Sequence, residues 1–217
     1  MRDDLEQQEQ MDALRGFWRE NRRWILSVFI VIGGGWAGYQ GFLAWQGSRA
    51  VAATQMLERM EAALAADKLE EAEAHGLLLL KEHGSSTHAS LAALRLARLH
   101  VASGALDKAL PMLAHAAKSS DESVAWIARV RAATVLMDLE RLPDALQQLE
   151  GEPPAAALGM VQDRRGDVLS LMKRWDEARS AWEAAQKALQ ANAEDARGAE
   201  LVARKLASLD AFAQTGQ

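Results

Sequence analysis

The chain has 217 residues, with 30 acidic and 25 basic side chains, a formal net charge of −5 and no cysteine. The lack of cysteine excludes disulfides, thiolate metal sites and cysteine nucleophiles. The acidic balance and the lack of a basic stripe argue against nucleic-acid binding.

The first predicted element is an apolar segment over residues 24–45, which contains no charged residue. As a helix it would be roughly 33 Å long, about the thickness of the hydrocarbon layer of a bilayer. We therefore predict a transmembrane helix over residues 24–45, preceded by a leader over residues 1–23 and followed by one domain over residues 46–217. Trp24 and Trp45 stand at the two ends of the span, where aromatic side chains prefer the interface.

The charges on the two flanks predict the orientation. One charge, Arg49, follows the span before Glu58, whereas several arginines precede it: Arg15, Arg19, Arg22 and Arg23. Excess Arg and Lys marks the cytoplasmic side, so we expect a cytoplasmic leader and a domain across the membrane. In a Gram-negative bacterium this would be an inner (plasma) membrane protein with a periplasmic domain. A cleaved signal peptide is the alternative, since Ala50-Val-Ala52 resembles a cleavage site, but the apolar run is too long and a polar segment precedes it.

Small residues follow one another along the predicted span. Gly34 and Gly38 form one stripe, and Gly33, Ala37 and Gly41 form another. Such stripes let a second helix approach closely in lipid, so we predict a membrane helix contact at Gly34, Gly38 and Gly41. The partner could be a second copy or another protein, and the alternative is that glycine is simply common in membrane spans.

Beyond the span, the composition predicts an all-α domain. The sequence is rich in Ala, Leu, Glu, Arg and Gln, and no run alternates like a strand. Short blocks recur at intervals of about 35 residues, and each begins like a helix and ends in an alanine. These alanines are Ala72, Ala109, Ala145 and Ala178.

Residues at fixed distances from these alanines predict pairs of antiparallel helices. Twelve residues before the alanines stand Met60, Ala97, Ala133 and Gly166. Nine residues before them stand Ala63, His100, Leu136 and Leu169, and four residues after them stand Gly76, Leu113, Leu149 and Trp182. The segment Glu194–Phe212, with Leu201, Leu206 and Leu209, predicts a C-terminal helix that covers the last pair.

These blocks resemble tetratricopeptide repeats, which stack helical hairpins into a solenoid, and residues 169–182 match best. The first repeat departs from the pattern, because Met60 is large and Gly76 fills an apolar position, so its first helix is expected to run on from the span. The whole layout, including the Glu- and Gln-rich leader over residues 6–24, resembles the YfgM-type ancillary subunits of the SecYEG translocon. That resemblance implies no catalytic residues. It implies association with SecYEG, with a membrane-anchored periplasmic chaperone of the PpiD type and with exported polypeptides.

In tetratricopeptide stacks the first helix of each pair lines the concave side. We therefore predict a groove that binds extended or helical polypeptides, because exposed Leu, Ile and Met side chains adapt to varied partners. Its predicted residues are Leu91, Leu94, Arg98, Val101, Ile127, Val130, Thr134, Met137 and Met160, with Asp163 and Asp167 further along. The alternative is that these residues pack against the next repeat or the C-terminal helix.

No catalytic residue, cofactor or metal site is predicted. The five histidines lack metal-ligand spacing, and no nucleophile or phosphate-binding motif occurs in the sequence. Two other functions stay open: a scaffold subunit of another envelope complex, such as outer-membrane assembly or cell division, and a hydrolase with buried carboxylates.

Overall fold

The computed structural model describes residues 2–191 and 195–214. No strand occurs in this part of the chain, so the predicted all-α class is confirmed. The helices are α1 (Arg2–Ala65), α2 (Leu69–His83), α3 (Thr87–Ala102), α4 (Leu106–Ala116), α5 (Glu122–Asp138), α6 (Leu142–Gln148), α7 (Ala155–Leu171), α8 (Trp175–Gln190) and α9 (Ala196–Gln214). Met1, Glu194 and Gln217, which belong to the predicted leader, C-terminal helix and repeat domain, lie outside the described residues.

The chain divides into two compact units, Met1–Val51 and Ala52–Gln217. Residues 2–23 of the predicted leader and the whole predicted span fall within α1, and the boundaries at residues 23 and 45 stay predictions. Within the described residues, one helical segment, Leu26–Ala65, contains a stretch long and apolar enough to cross a membrane. The mean hydropathy is 1.3, and no residue of that stretch is buried.

The second unit is a stack of helix pairs in the order that the repeats predicted. The end of α1 packs with α2, α3 with α4, α5 with α6, and α7 with α8. The alanines that mark the repeats have 0 % of their surface exposed: Ala72, Ala109, Ala145 and Ala178. Every residue twelve before, nine before and four after these alanines is buried too, so the tetratricopeptide-like solenoid is confirmed.

Each pair is joined by the same tight turn. The residue five before the marker alanine has a left-handed φ in all four turns: Asp67 (58°), Gly104 (75°), Glu140 (58°) and Lys173 (59°). The next N–H donates to the carbonyl five residues earlier, as from Lys68 to Ala63 at 2.9 Å and from Arg174 to Leu169 at 2.9 Å. This hydrogen bond closes a helix with a Schellman motif, so the turns repeat as regularly as the helices.

Ion pairs follow the turns at the start of three second helices. They join residues three apart: Lys68 to Glu71 at 2.9 Å, Arg141 to Asp144 at 2.6 Å, and Arg174 to Glu177 at 2.6 Å. The hydrogen bond from Arg174 lowers the pKa of the Glu177 carboxyl. These acids also lie in the first helical turn, where the helix dipole favours a negative charge.

The first and last pairs fill the space beside their glycines in different ways. In the last pair, Gly166 lies directly against the ring of Trp182, and a Cβ atom on Gly166 would lie 2.4 Å from Cδ1 of Trp182. In the first pair Met60 is the large residue, and the space beside Gly76 is filled by Leu96, 3.0 Å from where a Cβ would lie. The departures of the first repeat therefore have a packing reason, and its first helix does continue from the predicted span within α1.

We predict that Gly166→Ala destabilises the repeat unit by about 1–3 kcal/mol, because the methyl group would overlap the ring of Trp182. Chemical denaturation of the full chain in detergent, followed by circular dichroism, measures this loss. The control is Gly198→Ala in α9, where a Cβ would meet Leu189 at 3.5 Å, an ordinary contact. That change should be neutral or stabilise by up to about 1 kcal/mol. Equal effects of the two variants would contradict the close contact at Gly166.

The C-terminal helix α9 packs against the last pair, as predicted. Val202 and Leu209 are buried in one cluster with Leu169, Trp182 and neighbouring alanines, and Leu206 packs against that cluster. Leu201, in contrast, is 53 % exposed, so its predicted contact with the last pair is wrong. Val202, the next residue along the helix, is the one that turns towards the cluster. The side chain of Phe212 lies outside the described residues.

A partly buried ion cluster holds α9 against α7. The Nζ atom of Lys205 lies 2.6 Å from Oδ1 of Asp163 and 2.6 Å from Oδ1 of Asp167. The indole N–H of Trp182 donates to the same Oδ1 of Asp167 at 3.2 Å, and Arg164 pairs with Oδ2 at 3.2 Å. The two carboxylates therefore share one ammonium group and belong to the attachment of α9.

We predict that Lys205→Met destabilises the repeat unit by about 1–2 kcal/mol, because it leaves two half-buried carboxylates facing each other without their shared cation. Denaturation in detergent, as above, measures the loss. Arg204→Met is the matched control, since Arg204 pairs with Glu200 on the exposed side of α9. Its effect should stay below about 0.5 kcal/mol. If the two variants lost the same stability, the cluster would not be what holds α9.

Candidate protein-binding site

A cavity opens between α3 and α5, the first helices of the second and third pairs. Its volume is about 350 Å³. It is lined by Leu94, Ala97, Arg98, Val101, Leu113, Arg131, Thr134, Val135 and Asp138, and is called the first-helix cavity below. The cavity brings together four of the nine predicted groove residues: Leu94, Arg98, Val101 and Thr134.

The floor of the first-helix cavity is apolar and fixed. Leu94, Ala97, Leu113 and Val135 are almost fully buried in the hydrophobic core that α3, α4 and α5 share. Val101 lies higher on the wall and is 39 % exposed. Because the floor is set by close packing of three helices, the cavity is formed before anything binds to it.

Charged groups form the rim of the first-helix cavity. Arg98 stands on α3, and Arg131 and Asp138 stand on α5, all with exposed side chains. Thr134 lies between them, but its hydroxyl donates to the carbonyl of Val130 at 3.0 Å. The polar character of the rim therefore comes from two guanidinium groups and one carboxylate.

The other predicted groove residues lie elsewhere. Leu91 is exposed on α3, outside the lining of the cavity. Val130 is buried in the core between the third and fourth pairs, and Met137 and Met160 pack against that core. Ile127 packs against the neighbouring core cluster. Val130, Met137, Met160 and Ile127 therefore pack against adjacent helices, which was the alternative to an open groove. The apolar surface is shorter than predicted. Five further residues line the cavity without having been predicted for the groove: Ala97, Leu113, Arg131, Val135 and Asp138.

The loop between α6 and α7 is held from α5 by Arg129. Its guanidinium stacks 4.0 Å from the ring centre of Trp126 and donates from Nε to the carbonyl of Gln148 at 2.8 Å and from Nη2 to the carbonyl of Glu150. Burial lowers the pKa of this guanidinium. The contacts attach the start of this loop to α5, the helix that carries two of the three charged rim residues of the first-helix cavity.

The glycines of the predicted membrane contact lie on α1 in the first unit. Around Gly34, Gly38 and Gly41, no other atom lies within 4 Å of where a side chain would begin, apart from the helix's own backbone. They are exposed, as an unpartnered contact surface would be, and the contact itself stays a prediction. Trp45, at the end of the predicted span, stacks with Arg49 at 4.9 Å.

Within the described residues, no three His, Asp or Glu side chains are grouped as a metal site would require. His100 is buried in a repeat position, and its Nε2 lies 3.8 Å from a carboxylate oxygen of Glu73. A packing residue with one carboxylate beside it lacks the ligand number that a metal needs.

Known proteins share both the repeats and the length of the chain. Residues 15–211 match the tetratricopeptide repeat-like domain family. A protein of Escherichia coli (strain K12) named ancillary SecYEG translocon subunit is 28 % identical over 181 residues, which are 82 % of this chain and 86 % of that protein. Proteins of the same name from Neisseria gonorrhoeae (strain ATCC 700825 / FA 1090) and Aggregatibacter actinomycetemcomitans are 26 % and 24 % identical. These alignments cover 94 % and 80 % of this chain, and 98 % and 89 % of the relatives.

These relatives confirm the resemblance that the repeats and the layout carried, and their names agree with a non-enzymatic interaction protein. The family match covers the whole predicted span over residues 24–45 as well as every repeat. The chain belongs to the tetratricopeptide repeat-like domain family.

Proposed function

We propose that this protein is a membrane-anchored ancillary subunit of a SecYEG-type translocon. The observation that carries the proposal is the extent of the similarity: relatives of that name align with at least 80 % of this chain. Tetratricopeptide repeats alone serve many unrelated complexes, so the repeats by themselves would not separate this function from another scaffold. Similarity along both the apolar helix and the repeat unit favours the translocon.

The proposed topology has the N-terminus in the cytoplasm and the repeat unit in the periplasm. Its support is the charge asymmetry around residues 24–45, with Arg19, Arg22 and Arg23 exposed on α1 before the span and Arg49 the only charge directly after it. In this orientation the repeat unit stands at the side of the membrane where exported chains emerge.

The proposed role of the repeat unit is to contact polypeptides near the channel exit. Its partners would be the channel itself, exported chains and a membrane-anchored periplasmic chaperone of the PpiD type, as the resemblance implies. The first-helix cavity is the surface best suited to this role, because it combines a preformed apolar floor with an accessible polar rim. Anchoring would raise the concentration of that surface beside the channel without any additional contact.

We expect a photoreactive amino acid at position 101 in the cavity wall to crosslink the full chain to a SecY-type channel, an exported chain or a periplasmic chaperone in native membranes. The control is the same label at Lys108, an exposed residue of α4 that does not line the first-helix cavity. Mass spectrometry of adducts from both positions checks the expectation. Adducts from position 101 that contain only outer-membrane assembly or cell-division proteins would replace the translocon by the scaffold alternative.

We expect a C-terminal alkaline phosphatase fusion to be active, because this enzyme matures only outside the cytoplasm, and a matched cytoplasmic reporter to be silent. Reversing the charge asymmetry, with Arg19, Arg22 and Arg23 changed to Glu and two lysines added after Arg49, should exchange the two signals. A phosphatase fusion that is inactive on the unaltered chain would overturn the proposed topology.

A further inference from the structure

We propose that the first-helix cavity selects polypeptide segments in which an acidic side chain stands beside an aliphatic one. This proposal rests on the proposed function, since it names the chemistry of the segments that the repeat unit would contact. The occupant is an internal stretch of a partner polypeptide with Asp or Glu next to Leu, Ile, Val or Met.

The aliphatic half of this preference follows from the floor. Four buried side chains, Leu94, Ala97, Leu113 and Val135, offer carbon atoms only, and Val101 extends this surface towards the solvent. A volume of about 350 Å³ lies at the lower end of ligand pockets, which suits individual side chains rather than a folded domain. An aliphatic side chain that enters would leave water without leaving a polar group unpaired.

The acidic half follows from the rim. Among the residues that the structure describes, neither Arg98 nor Arg131 has an ion-pair or hydrogen-bond partner. Asp138 also stands at the rim and also lacks a partner there, so the rim has one net positive charge. A guanidinium group presents a planar fork of donors that matches a carboxylate, so each arginine is suited to receive one acidic side chain.

In a second cavity of the same unit, the lining arginine is paired with a carboxylate of the chain itself. It lies between α4, α5 and α6, and its arginine, Arg141, donates to Asp144 at 2.8 Å and lies 2.6 Å from it through the second nitrogen. That guanidinium is already neutralised within the chain. Arg98 and Arg131 therefore differ from Arg141 in being available, although all three arginines line cavities of similar size.

The net charge of the chain does not favour acidic segments. With a net charge of −5, the protein as a whole repels acidic peptides. A preference for acidic segments must then come from a local group. Because Arg98 and Arg131 stand on different helices, a segment lying across the cavity can meet one before its aliphatic residue and the other after it. A single chain-terminal carboxylate could satisfy only one.

The test measures binding of two labelled peptides to the full chain in nanodiscs of neutral lipid, by fluorescence anisotropy. Both peptides are blocked at their ends and carry a pair of leucines in a Gly/Ser background, flanked by glutamates in one and by glutamines in the other. We expect the glutamate peptide to bind about fivefold more tightly at low salt and the advantage to shrink as salt rises. Equal affinities, or tighter binding of the glutamine peptide, would overturn the proposal without any variant being needed.

The double variant Arg98→Gln with Arg131→Gln should abolish the preference and leave the glutamine peptide unaffected. The double variant Lys108→Gln with Lys187→Gln is the control, since it removes the same charge from exposed sites on second helices. If the control lost the preference equally, attraction would be general and the proposal wrong. A third glutamine peptide with a free C-terminus tests the other carboxylate source, and stronger binding of this peptide than of the glutamate peptide would also overturn it.

The outcomes separate this proposal from the proposed function. Translocon adducts at position 101 without any charge preference would reject the acidic segment and leave the translocon assignment standing. A clear charge preference without translocon adducts would reject the translocon assignment and support the binding of acidic segments.

Discussion

The close contact of paired helices at a small residue is the constraint on which the repeat unit depends. Each marker alanine is fully buried, and the left-handed turn before it reverses the chain between the two helices of a pair. A hairpin built in this way buries only one face, so neighbouring hairpins must cover the other. At one end of the stack the first pair, which contains the end of α1, buries Met60 and Ala53 in the core that it shares with α3, and at the other end α9 covers the last pair. Attachment of the ends is therefore part of folding, and Lys205 contributes to it from α9.

This constraint explains why much of the fold could be predicted from the sequence. A small residue that must be buried in every repeat recurs in the sequence at a nearly constant interval. Ala72, Ala109, Ala145 and Ala178 follow that interval, and all four are buried. The turn residues were harder to predict. Gly104 is the residue expected at a left-handed φ, whereas Asp67, Glu140 and Lys173 adopt the same conformation without being glycine. Their backbone follows from the packing of the helices on either side, which overrides local preference.

The candidate site was predicted less completely, for a physical reason visible in α5. On α3 the predicted face and the observed lining agree at Leu94, Arg98 and Val101. On α5 the two agree at Thr134, but the prediction also selected Val130, whereas the cavity is lined by the next residue, Arg131. Helices pack against α5 on several sides, namely α3, α4, α6 and α7, so apolar residues surround it and their spacing no longer marks one open face. A helical side chain also covers the surface over the turn before its own Cα, which moves the lining residue one position towards the C-terminus.

Under the proposed function, anchoring to the membrane would decide what such a cavity can do. A site of this size, with its charges at an exposed rim, forms few contacts with any one segment, and free in solution such contacts give weak and short-lived binding. A tether would change this because it keeps the cavity close to its partner, at an effective concentration in the millimolar range. Weak sites become occupied at about that concentration. Weak individual contacts then become useful, since a chain moving out of a channel must be released as readily as it is held. Under the proposed function the charged rim would favour fast encounter, while the apolar floor would hold each segment briefly. On this argument a deeper or fully apolar cavity would be a poorer device beside a translocon, because tight binding would slow the passage of each chain.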